Sequence, residues 1–291
     1  MAGQINKLLT WNIKGLKRHI GLLNDYFKNA DIICLQETWL RDFEDNILDE
    51  YFPHYKAMHK SSMKADVFYA GRPFGGVVTL WKNSLDSCIE NWDTDFDNFL
   101  VTKVKTNNGN FFIVNVYFLT NITENHDLNS VFISRIISVW TLDEVDDILV
   151  CGDFNLGINT TLYKELVDAC SEHKLTIVDR ELLPNDSFTF LSDMNGGNSW
   201  IDHIICSPVV KNCITECVLD YGCVLSDHFP LYLLCKCDVD CLVRTDCSNT
   251  QKYNQLNKKD VEQLQNYANL LESLYSQKIP LMFVIIRIVT P

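Results

Sequence analysis

Five short polar groups in this sequence carry side chains that could do chemistry, and each follows or interrupts an apolar run. They are Asn12, Gln36-Glu37-Thr38, Asp153 with Asn155, Asp202-His203 and Ser226-Asp227-His228. Functional side chains often stand where strands run out into loops, because a rigid scaffold then aims them. The shared pattern indicates one common site.

These residue types fit the metal-assisted hydrolysis of a phosphoester. Glu37 and Asp227 offer hard oxygen ligands of the kind that Mg²⁺ or Mn²⁺ prefers. An aspartate can orient or deprotonate the attacking water, and asparagine and histidine can donate hydrogen bonds to the phosphoryl oxygens. A second carboxylate can hold the histidine in the tautomer that the reaction needs.

Taken singly, most of these residues have an ordinary structural explanation. Glu37 could be a solvated turn residue, Asn12 a turn or cap residue, and Gly152–Asn155 a turn. Ser226–His228 could cap a strand. Asp202 is harder to explain, because a carboxylate between apolar neighbours must find a partner. The functional interpretation therefore depends on the whole set in its order.

The elements that must position these side chains are short strands separated by polar turns, with a few helices. Apolar residues at helical spacing in Leu16–Asn29 predict a helix, and Asn107–Asn110 predicts a hairpin turn. Mixed strands, hairpins and helices favour an α/β sandwich with two sheets over one wound parallel sheet. We predict strands at Ile5–Trp11, Asp31–Gln36, Gly75–Trp81, Phe99–Lys105, Phe111–Phe118, Asp146–Gly152, Ser199–Ser207, Ile214–Leu219 and Pro230–Lys236, and further helices at Leu128–Trp140 and Thr160–Ser171.

The sequence changes character near residue 238, where Cys-rich and then Asn-, Gln- and Lys-rich sequence begins. We place a domain boundary there, between one large α/β domain at residues 1–237 and a linker-like tail at residues 238–291. Within the tail, Asp260–Leu274 is predicted to form an amphipathic helix.

The charge of the chain is unlike that of a protein with a broad basic surface. The formal net charge is −13, and residues 121–237 hold 6 Lys and Arg against 18 Asp and Glu. Such acidity argues against tight, nonspecific binding of phosphates. It is compatible with a metal enzyme, because bound Mg²⁺ supplies positive charge where carboxylates gather.

Cysteine usage predicts reduced thiols with no disulfide partner. Cys34, Cys151 and Cys206 lie in apolar runs, where free cysteine behaves as a small hydrophobe. The N-terminus lacks the features of a signal peptide, so we expect an intracellular protein. The run Ile279–Val289 is too short to span a bilayer as a helix, and no membrane partner is expected. The spacing within the cysteine cluster near the end of the domain matches no standard zinc pattern, so no metal is expected there. The cluster consists of Cys235, Cys237, Cys241 and Cys247.

Six motifs follow one another in a fixed order along roughly residues 5–237. They are Leu9-Thr10-Trp11-Asn12-Ile13, Leu35-Gln36-Glu37-Thr38, Asn115-Val116-Tyr117, Gly152-Asp153-Phe154-Asn155, Ser199-Trp200-Ile201-Asp202-His203-Ile204 and Ser226-Asp227-His228-Phe229-Pro230. Together they closely resemble the endonuclease/exonuclease/phosphatase superfamily, which includes apurinic/apyrimidinic endonucleases and DNase I-like enzymes. The resemblance implies a four-layered α/β sandwich, in which two mixed β-sheets pack face to face and are flanked by helices.

The resemblance also implies a role for each matching position. The ligands of Mg²⁺, or of Mn²⁺ in its place, would be Glu37, Asn12 and Asp227. The catalytic residues would be Asp153, Asn155, His228, Asp202 and Tyr117. Asp153 would position or deprotonate the water, Asn155 and His228 would contact the phosphate, and Asp202 would pair with His228. Tyr117 would contact the phosphate or the leaving group, and the substrate contacts would be Asn121 and Ser199. Many relatives have Pro and Asn soon after the tyrosine, whereas this chain continues Phe118-Leu119-Thr120-Asn121.

Glu37-Thr38-Trp39-Leu40, Ser199–Ile204 and the tail segment Tyr253–Ile279 most resemble the endonuclease of non-LTR (LINE-type) retrotransposons. This likeness implies a monomeric nuclear enzyme that nicks one strand of DNA and leaves a 3′-hydroxyl, with a reverse transcriptase as partner in the parent element. The alternatives are an abasic-site endonuclease, an exonuclease or deadenylase, and a lipid or inositol phosphatase. A further alternative is an inactive remnant that serves as a binding module, although every acidic and histidine position of the motifs is intact.

Overall fold

Short apolar runs form the strands of two large sheets in the computed structural model, which describes residues 4–63, 71–92, 94, 96–106 and 109–239. The strands are β1 (Gln4–Asn12), β2 (Ile32–Gln36), β3 (Tyr55–Lys60), β4 (Val77–Lys82), β5 (Ile89–Trp92), β6 (Phe99–Thr106), β7 (Gly109–Tyr117), β8 (Asp147–Asp153), β9 (Thr176–Ile177), β10 (Phe190–Leu191), β11 (Asn198–Ser199), β12 (Asp202–Cys206), β13 (Ile214–Leu219) and β14 (Leu231–Asp238). The helices are α1 (Leu16–Phe27), α2 (Asn46–Tyr51), α3 (His126–Trp140), α4 (Thr161–Glu172), α5 (Val178–Leu182) and α6 (Pro208–Cys213), with 3₁₀ turns at Asn83–Cys88 and Thr123–Asn125.

Each large sheet has six strands and a parallel pair at its centre. The first sheet has the order β13-β14-β1-β2-β4-β3, and the second has the order β5-β6-β7-β8-β12-β9. Strands β1 and β2 run parallel, as do β7 and β8, and the other neighbours are antiparallel. A short hairpin, β10–β11, stands apart from both sheets. In each parallel pair the two strands end at the same edge of the sheet, so the residues that follow them can share a site.

Three apolar cores separate four layers. Between the sheets lie residues such as Leu8, Ile113 and Leu233. Helix α1 packs Leu16, Leu23 and Phe27 on the outer face of the first sheet. On the outer face of the second sheet, α3 and α4 bury Phe132, Ile133, Ile136, Leu162 and Leu166. The helical periodicity of these residues is what turns one face of each helix inwards. The predicted four-layered sandwich with two mixed sheets is confirmed.

One predicted strand, Ser199–Ser207, is divided in two. Ser199 pairs with Phe190 in the small hairpin, whereas the ladder with β8 begins only at Asp202. The break has a local cause, because the hydroxyl of Thr189 accepts hydrogen bonds from the main-chain N–H groups of Ile201 and Asp202, both at 3.0 Å. The other strands and the helices predicted within the described residues overlap observed ones, whereas the short elements α2, β3, β5, β9, α5, β10 and α6 were not predicted.

Strand β14 ends at Asp238. The predicted tail, with its helix at Asp260–Leu274 and with Cys241 and Cys247, lies outside the described residues, so the domain boundary stays a prediction. Every cysteine within the described ranges is a free thiol. In the same part of the chain, no helix is both long enough and apolar enough to cross a membrane.

Candidate active site

The candidate site lies where the carboxyl ends of the two parallel pairs meet across the sandwich. Asn12 ends β1 opposite Gln36, and Tyr117 ends β7 opposite Asp153. Strand β12 runs antiparallel to β8 and places Asp202 beside Asp153. Sheet register thus brings residues from distant parts of the sequence to one edge.

Glu37, directly after β2, is surrounded by hydrogen-bond donors. Its Oε1 accepts from the Asn12 amide at 3.1 Å and from the Tyr117 hydroxyl at 3.2 Å, and its Oε2 accepts from Trp39 Nε1 at 3.2 Å. Burial, followed by the charges of Glu37 and Asp153, raises the pKa of Tyr117, so this phenol keeps its proton. The donors fix the direction in which the Glu37 carboxylate points.

Asp153 is buried at the end of β8 and is 1 % exposed. Its Oδ2 accepts from the side-chain amides of Asn12 at 2.8 Å and Asn155 at 3.2 Å, and its Oδ1 accepts from the Asn155 main chain at 2.9 Å. Burial raises the pKa of Asp153 to about 7, although the positive charge of His228 opposes that shift. A carboxyl group of this kind can accept a proton near neutral pH.

The end of β8 requires a glycine directly before the catalytic candidates. Gly152 has φ +146°, and a Cβ there would lie 2.0 Å from the carbonyl oxygen of Val116 on β7. Beyond it, Asn155 turns its amide back, and Nδ2 donates to the Phe118 carbonyl at 2.9 Å. The close approach of β7 and β8 therefore holds Tyr117 and Asp153 side by side.

His228 is held between two carboxylates. Nδ1 lies 2.9 Å from Asp202 Oδ2, and Nε2 lies 3.9 Å from Asp153 Oδ2. Burial lowers the pKa of His228, but the charges of Asp202 and Asp153 outweigh it and raise the pKa to about 10. The Phe190 ring meets the imidazole edge to face at 5.0 Å. His228 is thus an oriented imidazolium, suited to donate to an anionic oxygen.

Asp227 lies next to His228 but has a different partner. Its carboxylate is paired with the ammonium of Lys14, which also lies 3.2 Å from Asp193 in the β10–β11 turn. The neighbouring hydroxyl of Ser226 donates to the carbonyl of Asn12 at 2.8 Å and ties this segment to the end of β1. Asp227 is therefore close to the Asn12 loop, as its predicted role requires.

The loops of the site are strained. Among the described residues, five that are not glycine have a positive φ, and four of these lie in the site: Lys14 at 49°, Glu37 at 48°, Trp39 at 57° and Asn155 at 51°. Such conformations are costly and persist only where the surroundings impose them, which is common at functional sites.

The donors present suit a hard divalent cation on the Glu37 side. Glu37 offers a carboxylate, and the Asn12 side chain lies beside it, with its amide nitrogen donating to Glu37 and its amide oxygen accepting from the Lys14 main chain at 3.1 Å. Asp227 lies nearby, and oxygen ligands are those that Mg²⁺ and Mn²⁺ select. Ligand atoms of Asp153, Asp202 and His228 also lie within 4.8 Å of one another. We favour the Glu37 side, because the charge on the imidazolium of His228 opposes a cation.

Two predicted substrate contacts lie outside this hydrogen-bonded cluster. Asn121 is partly exposed in the bend that follows β7, and Ser199 ends β11 in the small hairpin. Within the described ranges, neither side chain hydrogen-bonds to the clustered residues, although the Ser199 carbonyl accepts from the Thr189 main chain at 3.0 Å.

Sequence reasoning missed four side chains that contact the site: Lys14, Trp39, Thr189 and Phe190. Lys14 and Trp39 lie within two residues of predicted ligands, so their proximity in sequence was an available signal. Thr189 and Phe190 are far from any motif in the chain, and no local pattern marks them.

Comparison with known proteins gives a family match. The sequence profile described as the Endonuclease/Exonuclease/phosphatase family matches residues 9–228, about three quarters of the chain. An exodeoxyribonuclease of Bacillus subtilis is 25% identical over 258 residues, which cover 78% of this chain and 98% of the relative.

Solved structures share the fold. An AP endonuclease from Archaeoglobus fulgidus superposes with a TM-score of 0.62 at 17% identity, covering 79% of this chain and 99% of its own. A 3′ phosphatase from Neisseria, solved bound to a product DNA hairpin, gives a TM-score of 0.61 at 15% identity over 79% and 99% of the two chains.

Proposed function

The chain belongs to the endonuclease/exonuclease/phosphatase family, whose members hydrolyse phosphoesters with a divalent metal, and we propose that it is a DNA endonuclease. It would nick one strand and leave a 3′-hydroxyl. The observation that carries the proposal is the buried pairing of Asp153, a proton acceptor, with His228, an oriented cation, beside the donor-held carboxylate of Glu37.

In the proposed reaction, Asp153 accepts the proton of the attacking water as the new P–O bond forms and the phosphorus–O3′ bond breaks, and the leaving O3′ takes up a proton from solvent to become the 3′-hydroxyl. His228 and Asn155 donate to the phosphoryl oxygens, which gain charge in the transition state. Tyr117, whose raised pKa keeps it protonated, contacts the phosphate or the leaving oxygen. Held by Glu37 and Asn12, a Mg²⁺ or Mn²⁺ ion would supply positive charge to the phosphate. A ligand role for Asp227 stays a prediction.

Support for DNA as the substrate comes from the relatives. One is named an exodeoxyribonuclease, one an AP endonuclease, and one holds a DNA hairpin. We further propose a retrotransposon origin from the motifs Glu37–Leu40 and Ser199–Ile204. Action as a nuclear monomer, alongside a reverse transcriptase in the parent element, belongs to the same proposal.

A plasmid assay tests this function. Supercoiled plasmid with Mg²⁺ is expected to become nicked circles, EDTA should stop the reaction, and a polymerase should extend the nicks without prior treatment. Because the chain is acidic, the assay is best run at about 0.1 M salt, which screens the electrostatic repulsion between the protein and DNA. Asp153→Ala, which removes the proton acceptor, should lower nicking by about 10²-fold or more, and Asp168→Ala, on the exposed face of α4, is its matched control.

Substrate choice separates the alternatives. Intact and depurinated plasmids should be nicked at comparable rates, and sequencing of the nick ends would map any target preference. Cleavage confined to the depurinated plasmid would favour an abasic-site endonuclease instead. Folded protein that nicks neither plasmid with Mg²⁺ or Mn²⁺ would sink the proposal.

A further inference from the structure

Lys14 is a cation built into the candidate site. Its ammonium pairs with the carboxylates of Asp227 and Asp193, and the Lys14 and Asp227 side chains are only 24% and 11% exposed. Asp227 is the residue expected to assist Glu37 and Asn12 in metal binding. One of the oxygen ligands predicted for a metal is therefore already neutralised by the chain itself.

The backbone holds Lys14 in this place. Its main-chain N–H donates to Asn12 Oδ1 at 3.1 Å, and the next residue, Gly15, donates to the Glu37 carbonyl at 2.8 Å. A Cβ on Gly15 would lie 2.5 Å from the Trp39 ring, so the loop is packed tightly against the segment that carries Glu37. The ammonium is thus positioned from the same loops as the Glu37 side of the site.

The contacts of Lys14 leave no free carboxylate at Asp227 for a second divalent cation. The ammonium that pairs with Asp227 is also held by Asp193 at 3.2 Å. A divalent cation at Asp227 would therefore have to displace a positive charge that two carboxylates already hold.

We propose that Lys14 takes the place of a second metal ion. Its ammonium occupies the cation position at Asp227, and the site binds one divalent cation, at Glu37 and Asn12. Many phosphoester hydrolases use two ions to neutralise the reacting phosphate, and here a lysine provides the second positive charge. This inference rests on the metal dependence in the proposed function.

Counting the Mn²⁺ ions bound to the 291-residue chain tests this inference. Titration followed by electron paramagnetic resonance should give one tight Mn²⁺ site for the wild type and two for Lys14→Met, because the substitution frees Asp227. Adding Asp227→Asn to Lys14→Met should restore one site. A wild type with two tight sites, or a Lys14→Met variant with one, would overturn the inference.

Two further variants serve as controls. Lys14→Arg keeps the positive charge and should bind one Mn²⁺, and a count of two would contradict the role of the charge. Lys17→Met removes a lysine that pairs with Glu44 outside the site, and this variant should also bind one Mn²⁺. A second Mn²⁺ site in this variant would contradict the inference, because it would show that the loss of a lysine elsewhere has the same effect. Thermal melts establish that each variant is folded. A wild type that binds one Mn²⁺ but nicks no plasmid would refute the proposed nuclease and leave this inference standing.

Discussion

Strand β12 contributes to two buried aspartate–histidine contacts whose surroundings differ. Asp202 contacts His228 at 2.9 Å, and the next residue, His203, contacts Asp179 at 2.8 Å. Successive side chains of a strand point to opposite faces, so one contact faces the site and the other faces the packed interior. The chemical groups are the same and the distances nearly so.

The second nitrogen of each ring marks the difference. His228 Nε2 lies 3.9 Å from Asp153 within the site, whereas His203 Nε2 has no hydrogen-bond partner among the described residues. The rings of Phe154 and Tyr163 lie against His203, with centroids 5.6 and 5.2 Å away. A carboxylate–imidazole contact thus supports chemistry only where the far nitrogen faces a place that substrate can reach.

Asp179 also accepts hydrogen bonds from groups other than its histidine. It accepts hydrogen bonds from Trp200 Nε1 at 2.8 Å and from the main chain of Ile204 at 2.7 Å, besides the contact with His203. Its side chain is fully buried. We therefore interpret the Asp179 contact as one that stabilises the fold, and the Asp202 contact as one that orients a catalytic group.

The largest expected effect comes from removing the imidazole in the site. His228→Ala should lower the nicking rate by about 10²-fold or more, because a donor to the transition state is lost. The measurement is single-turnover nicking at saturating Mg²⁺, with Asp168→Ala as control. Turnover like that of the wild type would remove the distinction between the two contacts.

Breaking the other contact should affect folding and spare the chemistry. Asp179→Ala should lower the free energy of unfolding by about 3 kcal/mol, because it leaves buried donors of Trp200, His203 and Ile204 without their acceptor. Urea denaturation measures this, and exposed Asp186→Ala is the control. A large loss of rate in the fraction that stays folded would contradict the structural role.

A milder change tests the orienting role of Asp202. Asp202→Asn keeps the shape but removes the charge that favours the imidazolium, so kcat should fall by about 10-fold with little change in KM. Steady-state kinetics separate the two constants. A change in KM alone would indicate that Asp202 contributes to substrate binding and not to the orientation of His228.

The smallest effect is expected from shortening the chain. Both contacts lie within residues 4–239, so deleting residues 245–291 should change the melting temperature by only about 2 °C or less and leave nicking nearly unchanged. Differential scanning calorimetry of the 291-residue chain and of the shortened chain measures the change in melting temperature. A marked drop would contradict the linker-like tail predicted from the sequence.

Much of the fold and most of the predicted site follow from local sequence. Apolar runs such as Ile148–Cys151 predict strands, and the polar residues directly after them lie where those strands end. Asn12, Glu37, Asp153 and His228 could therefore be named together, because each depends on its neighbours in sequence and on the order of the motifs.

Tertiary structure alone decided which distant side chains meet. Asn12 and Asp153 are 141 positions apart, and Lys14 and Asp227 are 213 apart. Their contacts depend on strand order and register, which no short segment specifies. The pairing of Asp202 with His228 was predicted only through the family resemblance, and the contact of Asp179 with His203 was not predicted. Neighbouring residues determined the chemistry that was available, and the packing of the two sheets determined where it could act.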